Sequence, residues 1–205
     1  MAKKKVYLIR HAEAEGNAEK RYIGNRTDTA LTQAGIAEIG KRKPAAAKAT
    51  AGATVRICSG PMKRAVETAR LLFDIEWPET VPELTEMDLG CFEGKTYQEL
   101  SGDPRYQAWI DSNGTMTIPE GESLEAFAER SMRAFLSALG DPDREETVAI
   151  VCHGGNIMAV MSSLTRKNYY DFIVGNVDGY ILDLEMNDEG ILAFSYDRLG
   201  FGNPA

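Results

Sequence analysis

Short apolar runs alternate along the chain with longer stretches in which apolar residues recur every three or four positions. The short runs predict buried strands, and the longer stretches predict amphipathic helices packed against them. The predicted strands cover residues 6–9, 55–58, 147–152, 180–186 and 191–196. A polar Asn-Asp-Glu-Gly segment separates the last two strands, which predicts a closing antiparallel hairpin.

The helical stretches carry their own start and stop signals. Residues 30–49 are rich in alanine and predict a helix with a break at Pro44, since proline lacks the N–H that a helix interior uses. The Ser-Gly-Pro segment at 59–61 predicts the start of the next helix, because a first turn tolerates proline. Ser123 is a predicted N-cap of an amphipathic helix, and residues 156–164 predict another helix.

Strands that alternate with helices are typical of layered folds with a mainly parallel sheet. We therefore predict one domain over residues 1–205, of class α/β, with three α/β/α layers and an antiparallel edge hairpin. Residues 77–121 show the least regular pattern, and we interpret them as a lid or an insertion.

Composition narrows the class of partner. Apolar residues make up 43% of the chain, which is enough for a substantial core, and the net charge is −8. A negative chain disfavours nucleic acid and anionic membranes as partners. Three cysteines without framework spacing, and no apolar run long enough for a signal peptide, predict a cytoplasmic protein with reduced thiols. The oligomeric state is left open.

The chain contains only two histidines, and each follows a predicted strand. Arg10 adjoins His11, and a pair of glycines beginning at Gly154 follows His153. A third strand leads to Arg64 in the first turn of the next helix. The carboxyl ends of parallel strands meet at one edge of a sheet, where ligands gather. Two imidazoles, two arginines and a helix N-terminus at that edge predict a shared anion site.

Five short motifs resemble, in the same order, those of the histidine phosphatase superfamily, the phosphoglycerate-mutase-like group. The matching blocks are LIRHAE at 8–13, SGPMKRA at 59–65, LTEMDLG at 84–90, PEGES at 119–123 and VCHGG at 151–155. Ala12 stands where glycine is commonest in that family, and Gly60 where serine or proline is usual. Neither difference removes a charged group, so neither changes the expected chemistry.

The resemblance implies hydrolysis of a phosphate monoester through a phosphohistidine on His11. It implies that Arg10, Arg64 and His153 hold the phosphoryl oxygens. Glu86 would protonate the leaving group and then activate water, which requires a carboxyl that is partly protonated near neutral pH.

The resemblance also implies supporting roles and a substrate class. Asn17 and Gly154 would both help to bind the phosphate, Asn17 as a further hydrogen-bond donor. Arg21 and Arg26 are candidates for contacting the rest of the substrate. A solvated surface position is an equally good interpretation of these two arginines. The motifs are most similar to the α-ribazole phosphatase and broad-specificity phosphatase branch, so we expect a small phosphorylated metabolite such as α-ribazole phosphate or a sugar phosphate. No metal or cofactor is expected.

Two alternatives remain beside the phosphatase. A mutase would return the phosphoryl group to substrate and needs extra cations near the site, yet Lys95 and Arg105 are the only basic residues between Met87 and Glu129. A catalytically inactive binding or scaffolding relative would typically lack the nucleophile or a phosphate-holding arginine, and both are present here.

Two further patterns in the chain mimic phosphate-site motifs. Five residues separate Cys58 from Arg64, the spacing of cysteine-dependent phosphatases, but Pro61 removes an N–H that their phosphate cradle would use. Residues 90–96 are one residue short of a P-loop and place Glu93 where phosphates would lie. We interpret both as coincidental.

Overall fold

A computed structural model describes residues 1–201 and contains one mixed sheet of six strands. The strands are β1 (Ala2–Arg10), β2 (Val55–Ser59), β3 (Glu79–Thr80), β4 (Glu146–Cys152), β5 (Gly179–Asn187) and β6 (Gly190–Arg198). Their order in the sheet is β3-β2-β4-β1-β5-β6. The first four are parallel, and β5 and β6 form the antiparallel hairpin at one edge. The predicted fold class is confirmed.

Helices cover both faces of this sheet. They are α1 (Glu15–Ala18), α2 (Gln33–Ala49), α3 (Lys63–Phe73), α4 (Tyr97–Leu100), α5 (Pro104–Asp111), α6 (Leu124–Ala138) and α7 (Gly154–Thr165). Short 3₁₀ turns lie at Gly90–Phe92 and Tyr169–Phe172. Within residues 1–201, none of the helices has the length and apolar character needed to cross a membrane.

Two hydrophobic clusters lie on opposite faces of the sheet. Along β1, Val6 and Leu8 belong to one cluster, and Tyr7 and Ile9 belong to the other. Successive side chains of a strand point to opposite faces, and here both faces are covered. This explains why residues 6–9 of β1 are apolar at every position instead of alternating.

The predicted break at Pro44 is wrong, because α2 continues through it to Ala49. Pro44 is exposed, and so is Gly40, whose carbonyl loses its helical partner to the proline. Water can therefore hydrogen-bond to that carbonyl. Ala46, in the next turn, is buried in the same cluster as Tyr7 and Ile9 of β1. The helix begins at Gln33, where the side chain of Thr32 accepts a hydrogen bond from Gly35 N.

The predicted start of α3 at 59–61 is two residues too early. Ser59 is still paired within β2, and Met62 has extended backbone angles as the N-cap of a helix that begins at Lys63. The N-cap assigned to Ser123 is confirmed, since its side chain accepts from Ala126 N at 3.1 Å.

The irregular stretch at 77–121 contains the edge strand β3, a 3₁₀ turn and the short helices α4 and α5. It packs its own apolar side chains, including Phe92 and Tyr106, against Phe127 of α6 and Ala159 of α7. A role as a lid stays a prediction.

Two glycine substitutions are expected to change stability in opposite directions. A Cβ on Gly179 would lie 1.8 Å from the backbone oxygen of Leu8, so Gly179→Ala should lower the free energy of unfolding by about 1–3 kcal/mol. A Cβ on Gly40 would meet nothing within 4 Å, so Gly40→Ala should raise it by up to about 1 kcal/mol. Urea unfolding measures both, and equal effects would contradict this packing.

Candidate active site

The two histidines lie side by side because the strands before them are neighbours. Arg10 at the end of β1 pairs in register with Cys152 at the end of β4. His11 N donates to Cys152 O at 2.9 Å, which continues the ladder one residue further. The ring centroids of His11 and His153 are 5.1 Å apart, with an interplanar angle of 65°. Both residues are buried.

The hydrogen bond of His11 defines its tautomer. Its Nδ1 lies 2.7 Å from the backbone oxygen of Ala12, which can only accept. Nδ1 therefore carries the proton of the neutral ring, and the lone pair is on Nε2. Burial, helped by the positive charge of Arg64, lowers the pKa of His11 to about 3. His11 is thus neutral at physiological pH, as a nitrogen nucleophile must be.

His153 and Arg10 carry buried polar atoms without a partner among the described residues. Neither ring nitrogen of His153 is hydrogen-bonded, and the same holds for Arg10 Nε. Burial, followed by the influence of His11, lowers the pKa of His153 well below its usual value. A Cβ on Gly154 would lie 3.4 Å from Arg10 Nε, so this donor adjoins the first turn of α7. Unpaired donors at a helix N-terminus can bind an anion.

Arg64 is buried and is oriented by backbone carbonyls. Its Nη1 donates to Thr27 O and its Nη2 to Gly24 O, both at 3.0 Å. Carbonyls hold the guanidinium in place without cancelling its charge. The buried hydroxyl of Thr68 donates to Arg64 O at 2.6 Å and accepts from Ala12 N at 2.9 Å. One side chain thus connects the helix of Arg64 to the backbone beside His11.

Glu86 reaches the same place from the loop after β3. Its Oε2 accepts from Gly155 N at 3.2 Å, and its Oε1 accepts from Met87 N at 3.0 Å. A Cβ on Gly155 would lie 2.1 Å from Glu86 Oε1, so only glycine allows this approach. Desolvation raises the pKa of Glu86 above its usual value. The carboxyl can therefore hold a proton at the N-terminus of α7, which directly follows His153.

Comparison with known proteins agrees with this geometry. The family model of the histidine phosphatase superfamily (branch 1) matches residues 6–196. The chain belongs to this superfamily. The resemblance inferred from the five motifs is confirmed.

Members of the superfamily with several different names are similar to this chain. "Probable phosphoglycerate mutase GpmB" of Enterobacter sp. is 31% identical over 78% of this chain and 74% of its own length. "Adenosylcobalamin/alpha-ribazole phosphatase" of Salmonella typhimurium is 29% identical over 78% of this chain and 79% of its own. The crystal structure of the alpha-ribazole phosphatase from Shigella flexneri has a TM-score of 0.73 at 24% identity, covering 91% and 93% of the two chains.

The remaining residues predicted for the site are already engaged in other contacts. Asn17 Oδ1 accepts from Ala14 N at 3.1 Å and caps α1. Arg21 is paired with Glu19 and Glu99, and Arg26 with Asp88. A role for Asn17, Arg21 or Arg26 in binding substrate stays a prediction.

Sequence reasoning missed several residues that position the side chains of this candidate site. Asn156 lies three residues after His153, which is a capping spacing, and its Nδ2 donates to Thr85 O at 3.0 Å. Thr68 lies four residues after Arg64, on the same helix face. Asn176 donates to His11 O at 2.9 Å across 165 positions of sequence, and no local signal predicts that contact.

Thr68→Val removes a hydroxyl with little change of shape. It leaves Ala12 N and Arg64 O without their partner, so the free energy of unfolding should fall by about 1–3 kcal/mol. Misplacement of Arg64 should also weaken the binding of inorganic phosphate several-fold. Urea unfolding and titration calorimetry measure the two effects. Thr68→Ser keeps the hydroxyl and should behave like the wild type, and identical Val and Ser variants would contradict the bridging role.

Proposed function

We propose that this chain is a phosphomonoesterase that hydrolyses a small phosphorylated metabolite through a phosphohistidine on His11. The observation that carries the proposal is a neutral His11 with its lone pair on Nε2, placed among Arg10, Arg64 and His153. Phosphatases among the relatives support the same class of reaction.

In the first step, the lone pair of His11 Nε2 attacks phosphorus in line with the ester oxygen. The P–N bond forms as the P–O bond to the alcohol breaks, and negative charge spreads over the other phosphoryl oxygens. Arg10 and Arg64 stabilise that charge in a site largely withdrawn from water. Glu86 gives its proton to the departing oxygen, so the product leaves as a neutral alcohol.

In the second step, water attacks the phosphohistidine. Glu86, now a carboxylate, takes one proton from the water as the new P–O bond forms and the P–N bond breaks. Inorganic phosphate leaves, His11 regains its lone pair and Glu86 is protonated again. The sum of the two steps is ester plus water giving alcohol plus phosphate.

A second candidate is phosphoryl transfer to another hydroxyl of the substrate, as in a mutase. The similarity to the Enterobacter protein named as a phosphoglycerate mutase favours it. The same phosphohistidine would form, but the acceptor would be an alcohol oxygen instead of water. The ion pairs of Arg21 and Arg26 argue against it, because they occupy cations that a phosphorylated acid would need.

A panel of phosphomonoesters tests the reaction with wild-type and His11→Ala protein, in the presence and absence of a chelator. It should contain α-ribazole phosphate, sugar phosphates, phosphoglycerates and a chromogenic aryl phosphate. We expect wild-type hydrolysis that the chelator leaves unchanged and that His11→Ala lowers by at least about a thousandfold. Activity surviving in His11→Ala, or abolished by the chelator, would contradict this mechanism.

The same panel separates the alternatives. Isomerisation of phosphoglycerate that outpaces its hydrolysis would make the chain a mutase. Binding of phosphate without turnover of any ester would make it an inactive relative.

The pH dependence should identify Glu86 as the proton donor. His11 stays neutral down to about pH 3, so it contributes nothing to the acid limb of kcat/KM above pH 4. That limb should follow the second ionisation of the substrate's phosphate, at about pH 6. As pH rises through the raised pKa of Glu86, the acid loses its proton and kcat/KM should fall.

Glu86→Gln cannot transfer a proton, so it should lower kcat/KM by about a hundredfold or more and remove the alkaline limb. A stopped-flow or steady-state pH profile from 5 to 10 measures this. An alkaline limb that persists unchanged in Glu86→Gln would assign it to another group.

A further inference from the structure

The loop at residues 24–28 contacts both Arg64 and a set of carboxylates. On one side, Gly24 O and Thr27 O accept the two hydrogen bonds of Arg64. On the other side, Gly24 N donates to Glu93 Oε1 at 2.9 Å. Asp28 and Glu93 also act electrostatically on Arg64, so these carboxylates lie close to the guanidinium that would hold the phosphoryl group.

The cations of this loop region are already neutralised. Arg26 Nε lies 2.8 Å from Asp88 Oδ1, and its Nη2 donates to Asp88 Oδ2 at 3.1 Å and to Glu120 O. Arg21 lies 2.6 Å from Glu19 Oε2 and 3.0 Å from Glu99 Oε2. Each guanidinium is therefore already paired with at least one carboxylate, which offsets the positive charge it could offer to a second anionic group.

Further carboxylates lie near these paired arginines. Glu93 Oε2 is buried and has no hydrogen-bond partner among the described residues. Asp28 Oδ1 lies 3.9 Å from Arg64 Nη1 and takes up part of that charge. The phosphoryl group of an ester, a dianion, uses Arg10 and Arg64. A further anion on the leaving alcohol would then be repelled by these carboxylates, most strongly by Glu93, because water screens its buried Oε2 least.

The wider surroundings have the same sign of charge. Residues 77–121 contain nine acidic residues and two basic ones, Lys95 and Arg105. Arg105 is paired with Asp103 at 2.7 Å. This stretch, which brings Glu86 to the site, therefore adds repulsion towards a second anionic group instead of attraction.

We propose that the site selects phosphomonoesters whose leaving alcohol carries no second negative charge. Neutral polyols and amino alcohols fit this class, whereas phosphorylated carboxylic acids and bisphosphates do not. Asp88 contributes to the selection by pairing with Arg26, and Glu93 contributes directly through its own charge. The inference rests on the proposed phosphatase function.

Two matched pairs of esters test the class. Glycerol 3-phosphate and 3-phosphoglycerate share a carbon skeleton, and the second has a carboxylate where the first has a hydroxymethyl group. Phosphoserine is phosphoethanolamine with one carboxylate added. We expect kcat/KM to be at least about tenfold higher for the ester without the carboxylate in each pair. The preference should shrink as ionic strength rises, because salt screens the repulsion.

The outcomes separate this inference from the function on which it rests. Three outcomes would overturn the charge selection in an enzyme that still hydrolyses the chromogenic aryl phosphate: equal turnover of both members of each pair, a preference for the acids, or no turnover of either member. Each of them would leave the phosphatase function standing. A protein without turnover of any ester, the aryl phosphate included, would contradict the phosphatase function itself.

Variants assign the selection to its residues. Asp88→Asn frees Arg26, and Glu93→Gln keeps an acceptor for Gly24 N, so each removes one negative charge while its oxygen can still accept. Each should reduce the preference for glycerol 3-phosphate over 3-phosphoglycerate at least about threefold.

The control is Asp183→Asn, which removes the ion pair between Asp183 Oδ1 and Lys5 Nζ, 3.5 Å apart. Lys5 lies on β1, five residues before Arg10. It should leave the preference unchanged. An unchanged preference in both test variants, or an equal change in the control, would overturn the assignment. The wild-type ratios test the class even if one variant folds poorly.

Discussion

The structure is organised around buried positive charge that is held mainly by backbone carbonyls, with Asp28 3.9 Å from Arg64 as a longer ion pair. Arg64 is almost fully buried, yet its guanidinium is held by the carbonyls of Gly24 and Thr27, and Arg10 donates to Val174 O at 2.8 Å. Burial of a charge costs free energy unless it is hydrogen-bonded, and carbonyls supply those bonds while leaving the net charge in place. The two imidazoles beside them stay neutral for the same reason, because a further positive charge there would be repelled and poorly solvated. A dianionic phosphoryl group is the kind of ligand that this imbalance favours.

The sheet supplies the rigidity that such a site requires. Adjacent parallel strands deliver His11 and His153, and the bridge through Thr68 fixes the helix of Arg64 against the end of β1. Glu86 comes from an irregular loop, but Arg130 donates to the carbonyls of Thr85 and Glu86 and so holds that loop in place. The least regular segment therefore still presents its carboxyl at a defined position, beside the N-terminus of α7.

Much of this arrangement could be predicted from the sequence, because it follows from local patterns. Continuous apolar strands that end in Arg10-His11 and Cys152-His153 already predict one edge of a parallel sheet. The helix through Pro44 could not be predicted, since it depends on which side of α2 faces solvent. The contact of Asn176 with His11 O depends on the packing of distant segments. The pairing of Arg26 with Asp88 could not be predicted from the sequence either, because nothing in their spacing indicates that they meet.

Direct capture of the intermediate tests whether His11 Nε2 itself carries the phosphoryl group. Enzyme in excess over an aryl phosphate would be quenched in alkali, where a phosphorus–nitrogen bond to histidine survives, and the phosphorylated peptide identified by tandem mass spectrometry. We expect one phosphate on the peptide that contains His11, formed as fast as the aryl alcohol is released. Phosphate on another residue, or release of the alcohol with no phosphorylated protein at any time point, would contradict it.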